Sequence, residues 1–215
     1  MESKKPNSNW LPKEFTEKTV TKAILNNIKR KRFSIDDVVI VEGIPLFSWV
    51  ELNLNELCNR TCIFCPRSED YPNKNVHMDL ELAELIADQL ESLEFTGTVN
   101  ISGTGEPLLT RNLVELVNKF GKRNIRIEIV TNGDKLKPKL INDLYSAGLK
   151  QLVVSMYDGP QQKKYFFDLF KKSGISKEFF TLRDRWYDKE ENYGLIYTNR
   201  AGSLGTELPS PEKRA

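Results

Sequence analysis

The sequence predicts an α/β protein built as a partial (β/α)6 barrel, similar to a TIM barrel that is open on one side. After Ser48, short apolar stretches with strand character alternate with segments of helical periodicity. Such alternation predicts βαβ units around a parallel sheet, which right-handed crossovers curl in one direction. About six strands follow Ser48, fewer than the eight of a complete barrel. We expect a helical N-terminal extension over residues 1–47, the barrel over residues 48–202, and a C-terminal tail or linker over residues 203–215.

The predicted elements follow one another in a regular order. Ahead of the barrel we expect a helix over residues 13–32 and a short strand at Val38–Val41. The barrel strands are predicted at Ser48–Leu54, Thr98–Ser102, Ile125–Val130, Gln151–Ser155, Glu178–Leu182 and Tyr193–Thr198. The helices between them are predicted at Asp79–Leu93, Asn112–Phe120, Pro138–Ala147 and Gln161–Lys172.

Local signals define the ends and faces of these helices. Asp79 is suited to cap the first helix of the barrel, because its carboxylate can accept a hydrogen bond from a free N–H of the first turn. Gly121 follows the second helix, at the position just beyond a helix where glycine is preferred. The apolar face of the first helix is predicted to consist of Leu82, Leu85, Ile86, Leu90 and Leu93.

Composition excludes several classes of protein. The chain has 215 residues, of which 39% are hydrophobic, enough for the core of one ordinary domain. The net charge of +2 gives no general attraction to nucleic acid or to a membrane surface. The N-terminus lacks the apolar stretch of a signal peptide, and no segment is apolar enough to span a bilayer. We therefore expect a cytoplasmic protein.

The three cysteines of the chain lie together in the run Cys58-Asn-Arg-Thr-Cys62-Ile-Phe-Cys65. An odd number of cysteines in one cluster is a poor disulfide framework, and in a reducing compartment it indicates metal binding. A [4Fe–4S] cluster takes four cysteine ligands, so three would leave one iron open to a small molecule. A zinc site completed by an aspartate or by His77, the single histidine, is the alternative.

Unusual residues follow each of the first four barrel strands. The cysteines follow the first strand, Gly105-Glu106-Pro107 follows the second and Thr131-Asn132-Gly133 the third, while Ser155 closes the fourth. Because these strand ends meet at one face of a parallel barrel, the residues are expected to form one site. Each segment taken alone has a simpler interpretation, as a turn or a packed side chain.

Together these segments resemble the radical SAM superfamily. The Cys-x3-Cys-x-aromatic-Cys signature of that family is present as Cys58, Cys62, Phe64 and Cys65. Its Gly-Gly-Glu-Pro motif is present as Thr104–Pro107, with threonine at the first glycine position. The resemblance covers roughly residues 48–202, and it implies the partial barrel of radical SAM enzymes.

The resemblance also implies a cofactor arrangement. Cys58, Cys62 and Cys65 are expected to bind three irons of a [4Fe–4S] cluster, and the fourth iron binds the amino and carboxylate groups of S-adenosylmethionine (SAM). Gly105 and Glu106 are expected beside the methionine amino group. The remaining cofactor-binding residues are expected to be Phe64 beside the adenine, with Thr131, Asn132 and Ser155 near the ribose or carboxylate. No catalytic residue is predicted beyond these.

The implied reaction is reductive cleavage of SAM to a 5′-deoxyadenosyl radical, which abstracts a hydrogen atom from the substrate. We expect a small polar substrate such as a sugar or aminosugar, undergoing dehydrogenation, epimerisation or elimination. A one-electron reductant such as flavodoxin or ferredoxin is the expected partner. The alternatives are modification of a ribosomal peptide or protein, activation of a protein radical, and a non-catalytic metal-binding module.

The C-terminal third resembles radical SAM enzymes that continue into a SPASM or twitch domain, through Arg183–Trp186 and Asn199–Gly202. Those domains hold auxiliary clusters on further cysteines, and no cysteine follows Cys65 here. The interpretation favoured is a chain truncated before that domain, and the alternative is an enzyme without auxiliary clusters. Arg183 and Arg200 could contact substrate or form ordinary ion pairs.

Overall fold

The computed structural model describes residues 39–41, 43–62, 64–68 and 71–185. Two predicted elements, the helix over residues 13–32 and the strand Tyr193–Thr198, lie outside the described residues. The described part contains a five-stranded parallel sheet, in which the order of the strands is their order along the chain. This is the α/β architecture expected of a partial barrel.

The strands lie close to their predicted positions. Two strands of two residues each, β1 and β2, form an antiparallel hairpin ahead of the sheet. The first of them lies within the predicted strand Val38–Val41. Strand bounds are β1 Ile40–Val41, β2 Ile44–Pro45, β3 Trp49–Leu52, β4 Thr98–Ile101, β5 Arg126–Thr131, β6 Gln151–Met156 and β7 Phe180–Asp184. Strand β7 begins two residues later than the predicted strand Glu178–Leu182, because Lys177–Phe179 forms a turn of 3-10 helix.

Four helices connect the strands as crossovers. Their bounds are α1 Leu80–Ser92, α2 Leu113–Gly121, α3 Pro138–Ser146 and α4 Gln161–Ser173. Asp79 caps α1 as predicted, since its carboxylate accepts the Leu82 N–H at 2.6 Å. No helix in the described part of the chain combines the length and the apolar character that crossing a membrane requires.

The central strands are buried, as is usual for a parallel sheet covered by helices. All four residues of β4 are buried, and so are five of the six in β6. The largest side chains without solvent exposure come from the helices, where Phe120, Phe166 and Phe170 pack into one apolar cluster with the strands. This core holds the carboxyl ends of the strands in fixed positions at one edge of the sheet.

Two sequence-based predictions about the helices are wrong. The buried residues of α1 are Ala83, Ala87 and Leu90, whereas three residues of the predicted face are exposed, namely Leu82 at 44%, Leu85 at 53% and Leu93 at 37%. Gly121 does not follow α2 but is its last residue. Glycine is needed at this position because the backbone packs closely there: an added Cβ would lie 2.1 Å from the Ala147 carbonyl oxygen.

Candidate active site

A cavity of about 640 Å³ lies at the carboxyl ends of the strands. Segments that follow β3, β4, β5 and β6 contribute to its wall, as expected for the active face of a barrel. All nine predicted site residues line it: Cys58, Cys62, Phe64, Cys65, Gly105, Glu106, Thr131, Asn132 and Ser155. The fold therefore brings together residues that are separated by up to 97 positions in the sequence.

The cysteine loop follows β3 and carries three free thiols, of which Cys62 is buried. Its backbone is held locally, because the Cys65 N–H donates to the Cys62 carbonyl at 2.9 Å and the Cys58 N–H donates to Asn73 Oδ1 at 2.9 Å. Burial raises the pKa of Cys62 to about 12 and also raises the pKa of Cys58. The thiols of Cys58 and Cys62 are thus protonated at neutral pH until a metal displaces their protons.

A zinc site at the cysteines would need a further ligand, for which the sequence offers an aspartate or His77. Within the described residues, no group of three or more His, Cys, Asp or Glu side chains is placed to hold a single metal ion. His77 is engaged elsewhere, because its Nε2 pairs with Asn75 Oδ1 at 2.8 Å and its Nδ1 accepts the Arg111 N–H at 3.3 Å. Three soft thiolates that face one cavity are the ligands that an iron–sulfur cluster prefers.

Glu106 is the most deeply buried carboxylate of the site, with 4% exposure. Its Oε1 accepts the Thr131 hydroxyl at 2.5 Å and the Leu108 N–H at 3.0 Å, and its Oε2 accepts the Asn132 N–H at 2.9 Å. Burial raises the pKa of Glu106, while the three donors act in the opposite direction. The carboxylate therefore ties the loop after β4 to the end of β5.

Gly105 lies where two segments of backbone are in contact. Its N–H donates to Asn53 Oδ1 at 3.1 Å, and a Cβ at this position would lie 2.0 Å from the Asn55 carbonyl oxygen. The buried side-chain amide of Asn55 also donates a hydrogen bond to the backbone carbonyl of Glu106, the residue after Gly105, at 2.9 Å. The loop after β4 is thus fixed against the segment that leads into the cysteine loop.

An aromatic pair forms another part of the wall. The rings of Phe64 and Tyr157 are stacked with centroids 5.6 Å apart. Burial raises the pKa of Tyr157 to about 12, so the phenol is neutral at physiological pH, although Ser155 acts in the opposite direction. Phe64 presents an apolar surface to the cavity, and Ser155 lines the same cavity.

The structure adds residues that the sequence analysis did not assign. Arg60, inside the cysteine run, forms ion pairs with Asp134 after β5 and with Asp158 after β6, both at 2.7 Å. Arg67, just beyond the run, donates to the carbonyl oxygens of Thr104 and Glu56. The signal available in the sequence was two aspartates at adjacent strand ends and arginines among the cysteines.

Comparison with known protein families shows to which family the chain belongs. The family model of the radical SAM superfamily matches residues 52–174, more than half of the chain. A curated relative from Niallia circulans, S-adenosyl-L-methionine-dependent 2-deoxy-scyllo-inosamine dehydrogenase, is 33% identical over 172 residues, covering 78% of this chain and 64% of its own length. GTP 3′,8-cyclase of Thermodesulfovibrio yellowstonii is 31% identical over 150 residues, covering 68% of this chain and 44% of its own.

Solved structures agree with the sequence comparison. The crystal structure of BtrN in complex with AdoMet and 2-DOIA matches with a TM-score of 0.61 and 32% identity, covering 74% of this chain and 62% of that one. The chain therefore spans less than two thirds of the length of these relatives. Because the family model covers the cysteine run, the Gly105–Pro107 loop and the ends of β5 and β6, the chain belongs to the radical SAM superfamily.

Proposed function

We propose that this protein is a radical SAM enzyme that uses Cys58, Cys62 and Cys65 to hold a [4Fe–4S] cluster with one open iron. The observation that carries the proposal is that all three thiols line the same cavity as the loops after β4, β5 and β6. When bound, the cluster and SAM supply an electron and a 5′-deoxyadenosyl radical for hydrogen abstraction. The cavity, at about 640 Å³, is within the usual range for cofactor sites.

The residues around the cavity have distinct proposed roles toward SAM. Phe64, stacked on Tyr157, offers an apolar surface for the adenine. Gly105 allows backbone to come close to the methionine end. Three of the four lone-pair positions on the Glu106 carboxylate are occupied, so one remains to accept the methionine ammonium. The ribose or carboxylate is proposed to lie near Thr131, Asn132 and Ser155.

The proposed substrate is a small polar molecule such as a sugar or aminosugar. The dehydrogenase relative, named for 2-deoxy-scyllo-inosamine, supports this class. Two cations at the end of β7, Arg183 and Arg185, line the cavity and could bind substrate oxygens. Dehydrogenation is the favoured reaction, with epimerisation or elimination as the other outcomes for such a substrate. A flavodoxin or ferredoxin is proposed as the reductant, and the cytoplasmic location and the SPASM or twitch relationship stay predictions.

The test of cofactor chemistry is anaerobic reconstitution with iron and sulfide, followed by dithionite and SAM. The wild-type protein should form 5′-deoxyadenosine, and Cys62→Ala should form none, because one of the three iron ligands is missing. Tyr145→Ala, an exposed change outside the cavity, is the matched control and should keep the activity. A wild-type protein that binds one zinc, lacks broad brown absorbance and makes no product would overturn the proposal.

The substrate class needs a separate measurement. Aminocyclitols and aminosugars deuterated at each carbinol carbon are incubated with the reconstituted enzyme and SAM. Deuterium should enter 5′-deoxyadenosine from one position of one member of the panel, because the abstracted atom comes from the substrate. If deuterium enters 5′-deoxyadenosine from a deuterated peptide and from no member of the panel, the proposed aminosugar substrate is wrong and the substrate is a peptide. The proposed cofactor chemistry would still stand.

A further inference from the structure

Arg60 joins the cysteine loop to two other loops of the site. Its Nε and Nη2 donate to the two oxygens of Asp134 at 2.7 and 2.8 Å. Its Nη1 and Nη2 donate to the two oxygens of Asp158, both at 2.7 Å. One guanidinium, between Cys58 and Cys62 in sequence, thus makes a bidentate contact with each of two aspartates that follow different strands.

The arginine side of this contact is largely covered, whereas the side chains of Asp134 and Asp158 are 26% and 46% exposed. The Arg60 side chain is 16% exposed, and its guanidinium carbon lies 5.5 Å from the centre of the Tyr157 ring, within the range of a cation–π interaction. The nearby cation lowers the pKa of Asp158, so the acid is ionised throughout the physiological range. Without the guanidinium, two like-charged carboxylates would face each other, and the loops after β5 and β6 would repel.

Arg60 lies two positions after Cys58 and two positions before Cys62, both of them proposed cluster ligands. Solvent exposure is among the features that set the reduction potential of an iron–sulfur centre. A side chain that fixes the position of residue 60 therefore also limits how far the neighbouring thiols, and a cluster bound to them, can move toward solvent.

We propose that Arg60 is a positioning residue, which holds the cysteine loop against the ends of β5 and β6. The inference rests on the proposed cluster at Cys58, Cys62 and Cys65. Its consequence is a cluster that is less exposed to solvent and better placed toward SAM than one in a loosely held loop. Outer-shell partners of metal ligands commonly contribute about 10–100-fold to affinity or activity.

The test compares Arg60→Lys with Arg123→Lys. Lysine keeps the charge but cannot make two bidentate contacts. Arg123 is the matched control, because it lies just beyond the end of α2 and also pairs with two carboxylates, Glu84 and Asp88 of α1, away from the cavity. Three quantities are measured: hydrogen exchange of residues 57–66 in the iron-free protein, the midpoint potential of the cluster, and the SAM cleavage rate.

Arg60→Lys should speed exchange in residues 57–66, shift the midpoint potential and slow SAM cleavage by about 10–100-fold. Arg123→Lys should leave all three at wild-type values, although both variants lose an ion-pair network. Asp158→Asn should reproduce part of the Arg60→Lys effect and add little to it in the double variant, because the two changes remove one interaction.

The outcomes separate this inference from the proposed function. If the wild-type protein assembles the cluster and cleaves SAM, but Arg60→Lys matches Arg123→Lys in exchange and potential, the positioning role is overturned and the proposed function stands. If the wild-type protein assembles no cluster, the proposed function fails, and faster exchange in iron-free Arg60→Lys alone would show only that the loop is anchored.

Discussion

The carboxylate of Glu106 provides a sharp test of how the site is held together. Replacing Glu106 with alanine leaves three donors without their acceptor: the Thr131 hydroxyl, the Leu108 N–H and the Asn132 N–H. The glutamate is 4% exposed, so water does not readily take its place. Glu106→Gln is a gentler change, because an amide oxygen at the Oε1 position can still accept from both Thr131 and Leu108.

The expected magnitudes follow from counting those donors. A buried donor without a partner costs about 1–3 kcal/mol, so Glu106→Ala should lower the free energy of unfolding by about 3–6 kcal/mol, allowing for some relaxation. Glu106→Gln places an NH2 group opposite the Asn132 N–H and loses that one contact, at about 1–3 kcal/mol. The larger loss is comparable with the whole stability of many domains.

The assay is urea unfolding of the iron-free protein, followed by circular dichroism, with Glu51→Gln as the control. Glu51 also lines the cavity but is exposed, so this change should alter stability by less than about 0.5 kcal/mol. If Glu106→Ala and Glu106→Gln destabilise the protein equally, or neither exceeds the control, the carboxylate does not hold the two loops together and our account of it is wrong.

Three further changes test the site, the surface and the core. Gly105→Ala should weaken SAM binding and lower stability, because the new Cβ would lie 2.0 Å from the Asn55 carbonyl oxygen; normal affinity in a titration would contradict this. The contacts with Lys119, Lys122 and Arg123 lower the pKa of Glu84 to about 2. The ionised Glu84 should therefore stabilise the fold fully above its ordinary pKa of 4.5, and progressively less as the pH falls toward 2. The urea midpoint of Glu84→Gln should therefore lie below that of wild type at pH 7 and converge with it in acid, and a constant difference would refute the assignment. Phe120→Ala, at a fully buried position of α2, should cost about 3–5 kcal/mol in thermal or urea unfolding, whereas Leu85→Ala, at an exposed position, should cost little.

The alternation of strands and helices could be predicted because each element has its own periodic pattern. The face of α1 could not, since leucines are frequent on both sides of that helix. The structure buries Ala83 and Ala87 and leaves Leu82 and Leu85 exposed. A count of apolar residues favours the leucines, but small side chains let a helix pack closely against its neighbours.

The nine predicted site residues meet in one cavity because each lies at or beyond the carboxyl end of a strand of a parallel sheet, a rule that needs no knowledge of distant contacts. That rule also places Asp134 and Asp158 at this face, but it does not predict the ion pairs that they form with Arg60. Its partners Asp134 and Asp158 lie 74 and 98 residues further along the chain, and nothing local distinguishes them from other charged residues near turns. For Glu106, the sequence indicated a carboxylate at the site but not its three hydrogen-bond donors.

The central claim is that three thiolates hold a cluster whose fourth iron binds SAM. Electron paramagnetic resonance of the anaerobically reconstituted, dithionite-reduced protein, recorded before and after SAM is added, tests it most directly. A reduced [4Fe–4S] signal that changes when SAM is added, and that is absent in Cys62→Ala, is the result we predict. A signal indifferent to SAM, or a protein that takes up no cluster under these conditions, would contradict the claim.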